Sequence, residues 1–135
     1  MGSGMPTEPN THGSARTVIA GPRVAYVDND AVVLAQLRAL AAHGNSGVTV
    51  VEGDVREVAA TLEAVSAGID LFRPACLLMG ALLHFFPADA ARDLVASYVA
   101  ALAPGSYVVL SVGRGDGDAA NQGFPGLLLR RQPVL

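Results

Sequence analysis

The chain has no lysine; all nine of its basic residues are arginine. Twelve acidic residues set against them give a net charge of -3, and no basic patch stands out. That removes the electrostatic case for nucleic acid as a partner. There is a single cysteine, Cys76, so no internal disulfide can form and a reducing cytoplasm is expected. Three scattered histidines, His12, His43 and His84, do not combine with one thiol into metal-ligand spacing. No membrane span is expected either. The longest apolar run, Ala75 to Phe86, is broken by His84 and falls well short of the about 20 residues a bilayer needs. The N-terminus is rich in Gly, Pro, Thr and Asn and lacks the apolar centre of a signal peptide. Internal repeats and coiled-coil heptads are absent too.

What the chain does have is apolar bulk. Hydrophobic residues make up 51% of its 135 positions and charged residues 16%. That length fits one domain, and that balance excludes a disordered chain and suits a sheet covered on both faces. The abundance of alanine beside the all-arginine basic set points to a GC-rich bacterial coding sequence.

Strand and helix signals alternate. A short helix is expected from about Thr11 to Ile19, stopped by Gly21-Pro22. Arg23 to Asp28 reads as a buried strand, since Val24-Ala25-Tyr26-Val27 is apolar, β-branched and aromatic. Asp30 then caps a helix whose apolar positions are Val33, Leu37, Leu40 and Ala41, ended by Gly44-Asn45. A strand over Val48 to Glu52 turns out through Gly53-Asp54, and a helix over Val55 to Val65 closes at Gly68. Ala75 to Gly80 is a third strand, Asp89 to Leu102 an amphipathic helix, and Ser106 to Val112 a fourth strand. From Gly113 the tail has no convincing pattern beyond Leu127-Leu128-Leu129 and reads as irregular. Such alternation defines an α/β fold with a mainly parallel sheet.

The chemistry concentrates at strand ends. Asp28 falls at the carboxyl end of its strand, where open α/β sheets bind ligands, and its two oxygens suit the hydroxyls of a ribose. The bend Gly2-Ser3-Gly4 lies 24 positions earlier, counted from Gly4. Glycines there let backbone approach a ligand and turn N–H groups toward an anion. Asp54 ends the next strand, either accepting a hydrogen bond from an adenine amino group, with Val55 packing on the ring, or capping the following helix. Asn29 and Asp30 suit a turn and a cap, Asn29 being kept beside Asp28 in the cofactor-binding set. Dinucleotides and S-adenosylmethionine both use a glycine bend with an acid one strand later. The dinucleotide fingerprint wants a third glycine where this chain has Thr7, preceded by Pro6, which lacks an N–H. His84 follows the third strand as a positional residue or a base. Asp116-Gly117-Asp118 lacks the spaced ligands of a calcium loop, and Arg130-Arg131 is too small a basic patch for nucleic acid.

Gly2-Ser3-Gly4-Met5-Pro6-Thr7, Pro9-Asn10-Thr11-His12 and Val24 through Leu34 together resemble the S-adenosylmethionine-dependent methyltransferase family of GC-rich bacteria. Gly53-Asp54-Val55-Arg56, Arg73-Pro74 with Leu82-Leu83-His84-Phe85, and Leu102 through Ser111 are similar to its later motifs. The resemblance covers roughly residues 2 to 112. It implies a Rossmann-like class I methyltransferase domain over residues 1–112, helices on both faces of the sheet, and an irregular tail over 113–135. It also implies S-adenosyl-L-methionine as cofactor, with Gly2, Ser3 and Gly4 near the methionine moiety, Asp28 at the ribose, Asp54 and Val55 at adenine, and Gly80 lining the pocket. A small-molecule methyl acceptor is the implied partner. Family members carry a strand before the glycine bend and antiparallel strands at the end. The chain is therefore expected to be the middle of a methyltransferase, marginally stable, with exposed strand edges covered by remodelling or by a partner chain such as a second copy. Two other readings remain open at this point: a non-catalytic remnant that binds cofactor weakly or pairs with another chain, and a nicotinamide-dependent oxidoreductase.

Overall fold

The computed structural model describes residues 1–43 and 47–113. The helix end at Gly44-Asn45 and the tail features from Asp116 to Leu129 and Arg130-Arg131 lie outside the described residues. Elements follow the order α1 (Thr11–Arg16), β1 (Val24–Asp28), α2 (Ala31–Ala42), β2 (Val48–Glu52), α3 (Val58–Ser66), β3 (Cys76–Gly80), a 3-10 turn (Leu83–Phe85), α4 (Ala88–Ala100) and β4 (Tyr107–Ser111). This is the α/β class with parallel strands that the alternation predicts. The strands are hydrogen-bonded in two parallel pairs, β1 with β2 and β3 with β4. Two compact units result, one being Gly2–Asp70, the other Met1 with the residues from Leu71 on.

In the N-terminal unit β1 and β2 run in register from Val24 opposite Val48 to Asp28 opposite Glu52. Alternation along each strand sorts the side chains onto two faces. Val24, Tyr26, Val48 and Val50 lie on one face and pack with Val33 and Leu37 of α2. Val27, Thr49 and Val51 lie on the other, where α3 and its ends are found. Thr61 of α3 and the side chains of Val27 and Val51 all approach Gly53. At the C-terminal end of α3, a Cβ on Gly68 would sit 2.1 Å from Thr49 Oγ1, so only glycine fits there. Helices therefore cover both faces of this pair.

The hydrogen-bonding edges are equally ordered. Val24 N–H donates to the Gly47 carbonyl and Gly53 N–H to the Asp28 carbonyl, so even-numbered β1 residues face β2. Val27 consequently points its carbonyl to the opposite edge, where the N–H and hydroxyl of Ser3 donate to it at 3.1 and 3.2 Å.

In the C-terminal unit β3 and β4 pair from Cys76 opposite Tyr107 to Gly80 opposite Ser111. Leu77 and Met79 are buried, while Cys76, Leu78 and Gly80 form an exposed row. The Met1 amino group donates to the Leu78 carbonyl at 2.9 Å. Leu94 and Tyr98 of α4 are buried. The Ser106 hydroxyl accepts the Ala75 N–H and donates to the Ala103 carbonyl, tying the entry of β3 to that of β4.

Two helices miss one expected end by three residues. α1 ends at Arg16 rather than Ile19, because Val18 and Ile19 are 81% and 58% exposed and find nothing apolar to bury against. α3 begins at Val58 rather than Val55, because Glu57 N–H donates back to the Asp54 carbonyl and closes a separate turn first. On α2 the buried positions are Val33, Leu34 and Leu37, with Leu40 and Ala41 half-buried. None of the described helices is long and apolar enough to cross a membrane.

Candidate cofactor site at the carboxyl end of strand β1

Asp28 is buried at the last position of β1 and is saturated on one side. Its Oδ1 accepts the N–H groups of Asn29 at 3.0 Å and Asp30 at 3.1 Å. Its Oδ2 accepts the Gly4 N–H at 2.9 Å. A carboxylate offers about four lone-pair positions. Three are taken by backbone, which leaves one, on Oδ2, without a donor among the described residues. Asn29 takes part through its main chain in this turn, and Asp30 caps α2 by accepting from Val32 and Val33 N–H.

Gly2 and Gly4 have φ of 59° and 62°, the left-handed region that a side chain resists. A Cβ on Gly4 would meet nothing within 4 Å, so the requirement there is conformational rather than steric. The bend differs from expectation in one respect. The N–H groups of Ser3 and Gly4 do not point outward at an anion but donate inward, to the Val27 carbonyl and the Asp28 carboxylate. Both acceptors are buried at a strand edge, and leaving either without a donor costs about 1–3 kcal/mol.

The far end of the same loop is fastened beside it. Asn10 caps α1 by accepting the Gly13 N–H at 2.8 Å, and a Cβ on Gly13 would crowd Asn10 Oδ1 at 2.9 Å. His12, buried, meets the Tyr26 hydroxyl with both its N–H (3.2 Å) and its Nδ1 (3.0 Å). Tyr26 stands two residues before Asp28, on the same face of β1. The loop is thus clamped at Tyr26, Val27 and Asp28, three consecutive residues.

Asp54 follows Gly53, whose N–H donates to the Asp28 carbonyl at 3.0 Å. It does not cap α3. Its Oδ1 accepts the Arg56 N–H and Nε, both at 2.9 Å. Its Oδ2 accepts Arg56 Nε at 3.0 Å and also Arg56 Nη2. Those side-chain and backbone hydrogen bonds from Arg56 hold the Asp54 carboxyl down at about 2. The Asp54 carbonyl accepts the hydroxyl of fully buried Thr61 at 2.9 Å. Val55 is buried, a floor beside the acid rather than an open side chain.

Gly80 ends β3 in the C-terminal unit, with Ser111 Oγ at ordinary contact distance from where its Cβ would be. Ala81 next to it adopts φ 49°, its N–H shared between the Ser111 carbonyl (3.0 Å) and hydroxyl (2.9 Å). His84 sits in the 3-10 turn against Phe85, and its buried Nδ1 has no hydrogen-bond partner among the described residues.

Four residues that shape this region were not singled out by sequence: Tyr26, His12, Thr61 and Arg56. Two had a readable signal. Tyr26 shares the period-2 face of Asp28, and Thr61 is the one polar residue in the i, i+3, i+4, i+7 series Val58, Thr61, Leu62, Val65.

A glycine bend bound to an acid at a parallel strand's carboxyl end defines an α/β protein that holds its ligand beyond the strand tips. A family model described as S-adenosyl methyltransferase matches residues 1–126. The chain belongs to the S-adenosyl methyltransferase family. No curated protein and no solved structure matches it.

Proposed function

We propose that the N-terminal unit binds the adenosine and methionine portions of S-adenosyl-L-methionine, and that the chain serves methyl transfer to a small-molecule acceptor in the cytoplasm. The observation that carries this reading is the single open acceptor position on Asp28 Oδ2, beside the Gly4 bend. It suits one ribose hydroxyl. The bound cofactor supplies a sulfonium-activated methyl group for an acceptor O, N or C.

The chain's own part is placement, which is where an enzyme of this kind gains most of its rate. Asp28 orients the ribose and holds the bend at once, so the bend needs no ordering when ligand arrives. Gly2, Ser3 and Gly4 present a surface of backbone and one small side chain to the methionine end. Asp54 is ionised and acceptor-only, the state that receives an exocyclic amino group. Val55 forms the floor there. The inward-turned amides of Ser3 and Gly4 disfavour a nicotinamide dinucleotide, whose pyrophosphate needs outward N–H groups.

Titration calorimetry with S-adenosylhomocysteine and with NAD tests the reading. Binding of the first and not the second is expected. Asp28→Asn, which turns an amide NH2 toward a backbone N–H, should weaken that binding by about tenfold or more. Preference for NAD, or no heat with S-adenosylhomocysteine at high protein concentration, overturns the proposal.

A further inference from the structure

The Arg56 side chain hydrogen-bonds the Asp54 carboxylate and takes both oxygens. The main-chain N–H of Arg56 adds a further donor to Oδ1. A forked guanidinium laid along a carboxylate fills the edge that another planar donor would use. Exposure is unequal across the pair, 69% for the Arg56 side chain and 26% for Asp54. The acid is sheltered and the cation is its cover.

We infer that Arg56 is a displaceable cap on Asp54 that competes with the 6-amino group of the adenine ring, an inference that rests on the adenosine-binding reading above. The two parts of Arg56 separate under this scheme. Its N–H is fixed by the Asp54–Glu57 turn and stays on Oδ1. Its side chain is solvated and held only by an exposed ion pair, so it can leave. An arriving amino group then takes the place of the guanidinium, exchanging a donor that carries charge for a neutral one on the same carboxylate. Cofactor binding is weakened by that exchange, and the acid is kept ionised while no ligand is present.

Arg56→Ala keeps the main-chain donor and removes the competitor. The variant should bind S-adenosylhomocysteine about two- to fivefold more tightly than the parent, the range expected from opening an exposed ion pair. Adenosine should show the same gain, and purine riboside, which lacks the 6-amino group, should show none. Raising salt should narrow the difference by screening the ion pair in the parent protein. Because Arg56 is exposed, only a small drop in the circular dichroism melt, from the lost ion pair, is expected to accompany these results. Equal or weaker binding by Arg56→Ala, or an equal gain for purine riboside, overturns the inference while leaving the cofactor reading intact. A parent protein that shows no heat with S-adenosylhomocysteine removes both.

Discussion

The phenolic oxygen of Tyr26 holds His12 by two atoms at once, the backbone N–H at 3.2 Å and the ring Nδ1 at 3.0 Å, with the two rings edge to face at 89°. The hydroxyl has one proton and already accepts the His12 N–H. It also shares one hydrogen with Nδ1, as donor or acceptor according to the ring's tautomer, so phenol and tautomer are coupled. Tyr26→Phe leaves a buried N–H and a buried ring nitrogen without their partner. A loss of about 1–3 kcal/mol in urea denaturation is expected. Nitrogen NMR of His12 should lose the signature of one fixed tautomer, and an unchanged tautomer would show that the phenol does not set it.

Thr61 acts on Asp54 from behind, through the carbonyl rather than the carboxylate. Thr61→Val keeps the shape and removes the donor, so destabilisation by about 1–2 kcal/mol is expected, with weaker S-adenosylhomocysteine binding. Thr61→Ser retains the hydroxyl and should restore binding more fully than stability. Equal binding by the Val and Ser variants would separate Thr61 from the site.

Asp54 gives a pH dependence of definite sign. Its carboxyl is lowered from 3.8 to about 2 by the Arg56 hydrogen bonds. A depressed carboxyl contributes stability that is complete above its unfolded value and disappears as pH falls through its folded value. The contribution should therefore be constant above about pH 4 and be lost toward pH 2. Carboxyl carbon NMR should place the Asp54 midpoint near the low value in the parent and higher in Arg56→Ala. A midpoint unmoved by that substitution would detach the shift from the ion pair.

Gly68→Ala places a methyl group where Thr49 already stands, 2.1 Å from its Oγ1. Overpacking of this kind costs about 1–3 kcal/mol. Thr49→Ala in the same chain should recover much of it, and thermal melts of the single and double variants measure the coupling. Additive losses would mean that the clash is relieved elsewhere.

Much of this architecture was legible because it follows from local composition. β2 occupies Val48–Glu52 as expected, since a β-branched run stands between Gly47 and Gly53. Asp30 caps α2 as its position before an apolar periodic stretch implies. Less visible was anything that depends on where distant segments meet. The amides of the glycine bend turn inward because the free edge of β1 needs donors, which a count of glycines does not reveal. Division of the strands into two pairs likewise depends on pairing partners rather than on strand propensity. His12 stands in the sequence as one of three scattered histidines, and its partner Tyr26 is 14 positions away across a loop whose path the residues alone do not trace.

The exposed row on β3 begins with Cys76, the chain's sole sulfhydryl. Partial burial pushes its pKa up, so at neutral pH it stays protonated and reacts slowly. Mildly alkaline maleimide or iodoacetamide chemistry should place one fluorophore or spin label there without any engineered handle. Attached at the first position of β3, such a reporter would read out opening of the β3–β4 pair separately from events around Asp28.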